Sequence, residues 1–187
     1  METDICEELR QLDMPKIRFV CEFTPQEPAE TGLDRVRFLM SANVGEALKP
    51  LSKVASGGEL ARIMLAMKQV LAQQDGVPTL IFDEVDAGVS GRAAQKVALK
   101  LWAVSKGRQV LCVTHLPQIA AMADAEFTVE KRVEHERTYT SVLHLDDAGR
   151  RQERARLIGG SMITETTLAG AAELLRLADE AKKGDIT

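Results

Sequence analysis

The sequence has no Gly-rich loop of the form G-x-x-x-x-G-K-[ST], and none of its glycines is followed by lysine. The backbone cradle that such a loop gives to a triphosphate is therefore absent from these 187 residues. The 3 cysteines have no C-x-x-C spacing, which argues against a disulfide framework or a zinc site. No apolar run approaches the roughly 20 residues that cross a bilayer, and no signal peptide is recognisable, so we expect a cytoplasmic protein without membrane contacts.

An excess of positive charge is also missing, since the formal net charge is −4 at pH 7. Surfaces that bind DNA are basic, so any DNA contact must be local or lie elsewhere. Basic residues cluster in two places, each interleaved with glutamates, and we interpret both as solvated faces rather than DNA contacts. The clusters are Arg150, Arg151, Arg154 and Arg156, and Lys131, Arg132 and Arg137.

Apolar periodicity predicts one domain of alternating strands and helices, with residues 24–32 as a proline-containing loop. The strands over 79–82 and 109–114 are apolar without alternation, which is typical of parallel strands buried on both faces. We therefore expect an α/β fold, mainly parallel, flanked by helices, with antiparallel hairpins. The other predicted elements are a helix end over 2–13, antiparallel strands over 16–23 and 34–41, helices over 59–73, 91–105 and 117–123, a hairpin over 126–133 and 138–145, and a last helix capped by Thr164.

A Ser56-Gly57-Gly58-Glu59 segment opens the helix predicted over 59–73. Glycines let a ligand approach the backbone closely, and a helix N-terminus presents free N–H groups to an anion. Taken alone, the segment could equally be an ordinary helix cap with serine and glycines. Its order and spacing relative to the next motif favour an anion site.

Two carboxylates, Asp83 and Glu84, follow the apolar strand over 79–82. Phosphoryl transfer needs groups that place Mg²⁺ and orient the attacking water, and neighbouring residues at a strand end point to different sides. The alternative is a pair of solvated charges. His115 ends the strand predicted over 109–114, at the edge where α/β sheets bind ligands, although an isolated histidine is more often a surface or core residue.

Four segments resemble the bacterial RecN family, DNA-repair members of the structural-maintenance-of-chromosomes (SMC) type of ABC ATPases. They are LKPLSKVASGGELARIMLA over 48–66, DEVDAGVSG over 83–91, VTHLPQIA over 113–120, and LIGG with TETTLA over 157–169. The resemblance covers about residues 14–180. In chain order, the first three segments are similar to the family's signature motif, to its Walker B strand with D-loop, and to its switch-histidine segment. The fourth is similar to the family's C-terminus.

The resemblance implies that residues 14–187 are the C-terminal lobe of a split ATPase head and that 1–13 are the end of a coiled-coil helix. Asp83 would hold Mg²⁺, Glu84 would activate the water, and His115 would contact the γ-phosphate of ATP. The signature residues Ser56, Gly57, Gly58 and Glu59 would bind ATP held by a second head, and Asp86 would lie between the two heads.

The implied partners are an N-terminal lobe carrying the Walker A loop, a second copy of the head and, through the complete protein, DNA at double-strand breaks. The chain alone is expected to be inactive. Three alternatives stay open: the head of another SMC-like ATPase, a non-catalytic module for head engagement, and a subunit of an ABC transporter.

Overall fold

A computed structural model describes residues 1–41, 43, 45–53, 57–71, 76–134 and 137–184. The chain divides into two compact units, Met1–Thr114 and His115–Thr187. Both contain helices and strands, so the α/β class is confirmed. Among the described helices, none has the length and apolar character needed to pass through a membrane.

The described strands of the first unit form two sheets, one antiparallel with three strands and one parallel with two strands. Its elements are α1 (Glu2–Gln11), β1 (Arg18–Ala29), β2 (Gly32–Ser41), β3 (Lys49–Pro50), a 3-10 helix (Leu51–Lys53), α2 (Gly57–Val70), β4 (Thr79–Phe82), α3 (Gly91–Ser105) and β5 (Gln109–Cys112).

The predicted pairing of the first two strands is confirmed, since β1 and β2 are antiparallel with Phe23 opposite Val36. The predicted loop over 24–32 is wrong in part, because β1 continues through Pro25 and Pro28 to Ala29. Proline is tolerated there because β1 lies at the edge of its sheet, and the register shifts between Pro25 and Ala29.

The parallel pairing of β4 and β5 puts Leu80 opposite Val110 and Phe82 opposite Cys112. Leu80 and Phe82 are buried, but Ile81 is 71 % exposed and Val113, just after β5, is 63 % exposed. The prediction that these strands are buried on both faces is therefore wrong for this chain, which covers one face of the parallel sheet and leaves the other open.

Helix α2 is the central helix of the first unit and packs against both α1 and α3. Its apolar positions recur at helical spacing, and Ile63, Leu65 and Ala66 are fully buried. On the other side of this contact, Ile5 and Leu9 of α1 are fully buried as well. The packing fixes where the N-terminal turn of α2 lies in the unit.

The second unit consists of a hairpin and three helices: α4 (Pro117–Ala121), β6 (Phe127–Glu134), β7 (Arg137–His144), α5 (Asp147–Gly159) and α6 (Glu165–Lys183). The predicted hairpin is confirmed, with Phe127 opposite His144. Thr164 caps α6 as predicted, and its side chain exchanges hydrogen bonds with Thr167 in a capping box.

Two of the four arginines in the basic cluster of α5, Arg150 and Arg154, lie partly or wholly inside the second unit, whereas Arg151 and Arg156 are exposed. Arg154 is fully buried; its guanidinium pairs with Glu126 and donates to the Ala120 carbonyl and, at 2.8 Å, to the Arg150 carbonyl. Arg150 donates to the Ala123 carbonyl at 2.6 Å. These two arginines hold helices together, so describing the whole cluster as a solvated face was wrong.

Candidate functional site

Within the first unit, the N-terminal turn of α2 lies against the chain that follows β4. A methyl group added at Gly57 would lie 2.3 Å from Glu84 Oε2, and one added at Gly58 would lie 2.7 Å from the Ala87 Cβ. Real Cβ atoms do not approach other atoms this closely. The structure therefore brings the predicted signature glycines together with Glu84, although Gly57 and Glu84 are 27 positions apart in sequence. At Gly58 the close neighbours include backbone atoms, whereas at Gly57 the close neighbour is the end of the flexible Glu84 side chain.

Glu84 has φ = 58°, in the left-handed region that residues other than glycine seldom adopt. The turn after it is closed by hydrogen bonds from Ala87 N to Glu84 O at 3.0 Å and from Val89 N to Asp86 O at 3.1 Å. Fully buried Val85 anchors this turn, while the Asp83 and Glu84 side chains remain exposed. Backbone strain of this kind collects at functional sites, where the surrounding structure holds it in place.

Asp86 is 3 % exposed, and its carboxylate accepts a hydrogen bond of 2.6 Å from the Thr114 hydroxyl. This bond fastens the turn to the segment that follows β5. Burial raises the pKa of the nearby Cys112 thiol to about 12, and the negative charges of Asp86 and Asp83 add to the rise. Cys112 is therefore a neutral thiol at physiological pH.

Arg62, in the second turn of α2, was not singled out from the sequence. It is 8 % exposed, and its Nη1 donates to the Ala87 carbonyl at 2.8 Å. Burial lowers the pKa of its guanidinium, while Glu59 and Asp13 act in the opposite direction. The sequence signal for Arg62 was its position four residues after Gly58, because residues with this spacing lie on the same face of a helix.

An open groove of about 390 Å³ runs between α2 and β4. Its walls include the apolar side chains of Leu60, Met64 and Ile81, and both Asp83 and Glu84 line it. Among the described residues, no group of three or more histidine, cysteine, aspartate or glutamate side chains could hold a metal by itself. The two carboxylates can supply oxygen ligands, so a metal here would need further oxygens from a substrate.

Three other residues were predicted to belong to the site: Ser56, Glu59 and His115. Ser56 falls outside the described residues. Glu59 is half-buried in the first turn of α2. His115 is exposed and is the first residue of the second unit, directly after Thr114. The roles assigned to all these residues stay predictions.

Several known proteins that are similar in sequence to the chain are DNA repair proteins named RecN. The chain is 46 % identical over 195 residues to the DNA repair protein RecN of Bacillus subtilis, a match that covers 96 % of the chain and 34 % of that protein. RecN of Halalkalibacterium halodurans is 48 % identical, with 95 % and 32 % covered. RecN of Vibrio cholerae is 47 % identical, with 91 % and 31 % covered. No protein-family model matches the chain.

Solved SMC head domains share the fold. One from Pyrococcus yayanosii, with a coiled coil and joint, is 20 % identical with a TM-score of 0.57, covering 95 % of this chain and 29 % of that one. Another, from Pyrococcus furiosus with an extended coiled coil, is 22 % identical with a TM-score of 0.54, covering 83 % and 37 %. The chain spans about one third of the length of the RecN relatives named above, in their C-terminal part. On this similarity the chain belongs to the RecN family.

Proposed function

We propose that this chain is the C-terminal lobe of an SMC-like head that hydrolyses ATP in DNA double-strand break repair and recombination. The observation that carries the proposal is the contact of Gly57 and Gly58 with Glu84 and Ala87. It joins a helix N-terminus suited to a phosphate with an exposed carboxylate suited to a water molecule. The repair role rests on the RecN relatives.

In the proposed reaction, residues of two heads act on the same ATP molecule. In one head, Glu84 orients the attacking water and accepts its proton, while His115 contacts the γ-phosphate. The Ser56-Gly57-Gly58 segment of the second head donates N–H groups to the same phosphate. Asp83, exposed beside Glu84, would hold Mg²⁺, which supplies charge neutralisation at the phosphate oxygens.

The missing half of the nucleotide site would come from a lobe that carries the Walker A loop. The uncovered face of the parallel sheet supports this assignment, because Ile81, Leu111 and Val113 are 71 %, 47 % and 63 % exposed there. Parallel strands are almost always covered on both faces, and apolar patches of this kind mark contact surfaces. The isolated chain should therefore neither hold ATP firmly nor turn it over.

The test uses a protein of the relatives' full length that contains this sequence. Glu84→Gln keeps the shape of the side chain but cannot accept a proton, so ATP binding should persist while hydrolysis falls by about 10²–10⁴-fold. Nucleotide binding and phosphate release are measured together. Hydrolysis within about threefold of wild type would show that Glu84 is not the base, and a wild-type protein that binds ATP without turnover would indicate a non-catalytic engagement module.

A further inference from the structure

Arg62 lies where the N-terminal part of α2 and the turn after β4 meet. We propose that Arg62 is a positioning residue that makes these two segments move together, so that phosphate contact at the N-terminus of α2 sets the position of Glu84. The inference rests on the proposed function, because it concerns the coupling of two ATP sites. It adds a residue to which the sequence motifs assign no role.

The burial of Arg62 needs an explanation. Taking a guanidinium out of water is costly, and its Nε is buried without a hydrogen-bond partner among the described residues. An apolar side chain of similar length would avoid both costs and still fill the space. The bond from Nη1 to the Ala87 carbonyl is the contact that an apolar side chain cannot make.

Gly58 provides the second point of contact with Ala87. A methyl group at Gly58 would lie 2.9 Å from the Ala87 carbonyl oxygen and 3.0 Å from the Glu84 carbonyl oxygen. Residues four apart on a helix lie on one face, so Gly58 and Arg62 contact the turn side by side. Two contacts, one steric and one a charged hydrogen bond, prevent the helix from sliding past the turn.

The turn after β4 transmits a displacement of α2 to Glu84. Ala87 N is bonded to the Glu84 carbonyl, and Asp86 is fixed by Thr114. A displacement of α2 therefore reaches the backbone of Glu84 through one hydrogen bond to Ala87 and one more within the turn. In the proposed dimer of heads, α2 serves the partner's ATP while Glu84 serves the ATP of its own head, so Arg62 links the two.

The experiment compares Arg62→Ala, Arg62→Lys and the control Lys100→Ala in the full-length protein. Lys100 forms a largely buried ion pair of 2.6 Å with Glu8, between α3 and α1, so its loss tests packing in the same unit. Arg62→Ala should lower kcat about 10- to 100-fold, as expected for a lost hydrogen bond from a charged donor. KM should stay within about twofold, and Arg62→Lys should restore part of kcat.

Lys100→Ala should lower thermal stability and leave kcat unchanged. A kcat for Arg62→Ala within about twofold of wild type would overturn the proposal. So would equal losses of kcat in Arg62→Ala and Lys100→Ala, because Arg62 would then act through packing alone.

Hydrogen exchange separates this inference from the proposed function, because it needs no ATP hydrolysis. Arg62→Ala should speed exchange at the Ala87 and Val89 amides, which are bonded within the turn, and Lys100→Ala should not. Unchanged exchange at these amides would refute the coupling even in an active enzyme. If the wild-type protein proves inactive while exchange responds as expected, the proposed function fails and the coupling stands.

Discussion

Replacing Gly58 by alanine should destabilise the head, whereas replacing Gly57 should not, because the two new methyl groups meet different neighbours. At position 58 the methyl group lies 2.7 Å from the Ala87 Cβ and 2.9 Å from its carbonyl oxygen. Backbone atoms have to move to relieve this contact. At position 57 the nearest atom is Glu84 Oε2 at 2.3 Å, the far end of a flexible side chain that can rotate away.

The expected sizes follow from two opposing terms. Overpacking costs about 1–3 kcal/mol, and alanine gains up to about 1 kcal/mol over glycine in a helix. Gly58→Ala should therefore lose about 1–2 kcal/mol, which lowers Tm by roughly 2–8 °C in a chain of this size. Gly57→Ala should keep or slightly raise Tm, yet lower kcat because Glu84 is displaced.

Calorimetry and phosphate release on the full-length protein measure both effects, with wild type as the reference. If Gly57→Ala loses as much stability as Gly58→Ala, Glu84 does not yield as its flexible side chain should. If Gly58→Ala has the Tm of wild type, α2 does not lie against the Ala87 turn, and the reasoning on the site is refuted.

Three further predictions concern other residues. Ser56→Arg should leave nucleotide affinity unchanged and abolish ATP-dependent dimerisation in light scattering; lost affinity with dimerisation intact would reverse the assignment of Ser56. Because the pKa of Cys112 is raised from 9.0 to about 12, the folded state keeps a proton that the unfolded state releases, and stability should fall as pH rises between these values. Urea unfolding at pH 8 and pH 10 should show a smaller fall in Cys112→Ala, and equal falls would exclude the effect. The isolated chain should bind duplex DNA weakly, near 10⁻⁴–10⁻⁶ M, and lose this binding steeply with salt; tight, salt-insensitive binding in fluorescence anisotropy would contradict this.

The elements that could be predicted from the sequence are those with a periodic apolar pattern. Helix α3 and strand β4 have the predicted bounds, because apolar residues and turn-forming residues mark both ends. Helix α5 was missed because it is rich in charge, and its buried positions are Arg154 and Ala155 rather than an apolar stripe. A buried arginine leaves no hydrophobic signal, so only its partners Glu126 and Ala120 reveal why it is inside.

The candidate site also has a part that the sequence predicted and a part that it did not. The motifs located Gly57, Gly58, Asp83 and Glu84, because each has a residue type and a neighbouring element that suit one kind of chemistry. Their mutual contact could not be predicted, since it depends on how α2 and β4 pack across 27 positions of sequence. The same holds for Arg62, whose role depends on a carbonyl at position 87 that carries no sequence signal.

The contacts among α2, the turn after β4 and Thr114 all lie within the first unit. The link between the proposed phosphate contact and the proposed base is therefore built from this chain alone, whereas the loop that would hold the triphosphate is not. Loss of the Walker A lobe should abolish nucleotide binding without disturbing the link, because none of its described bonds reaches beyond Thr114. For this reason hydrogen exchange at Ala87 and Val89 tests the link directly, while turnover tests it only when both lobes are present.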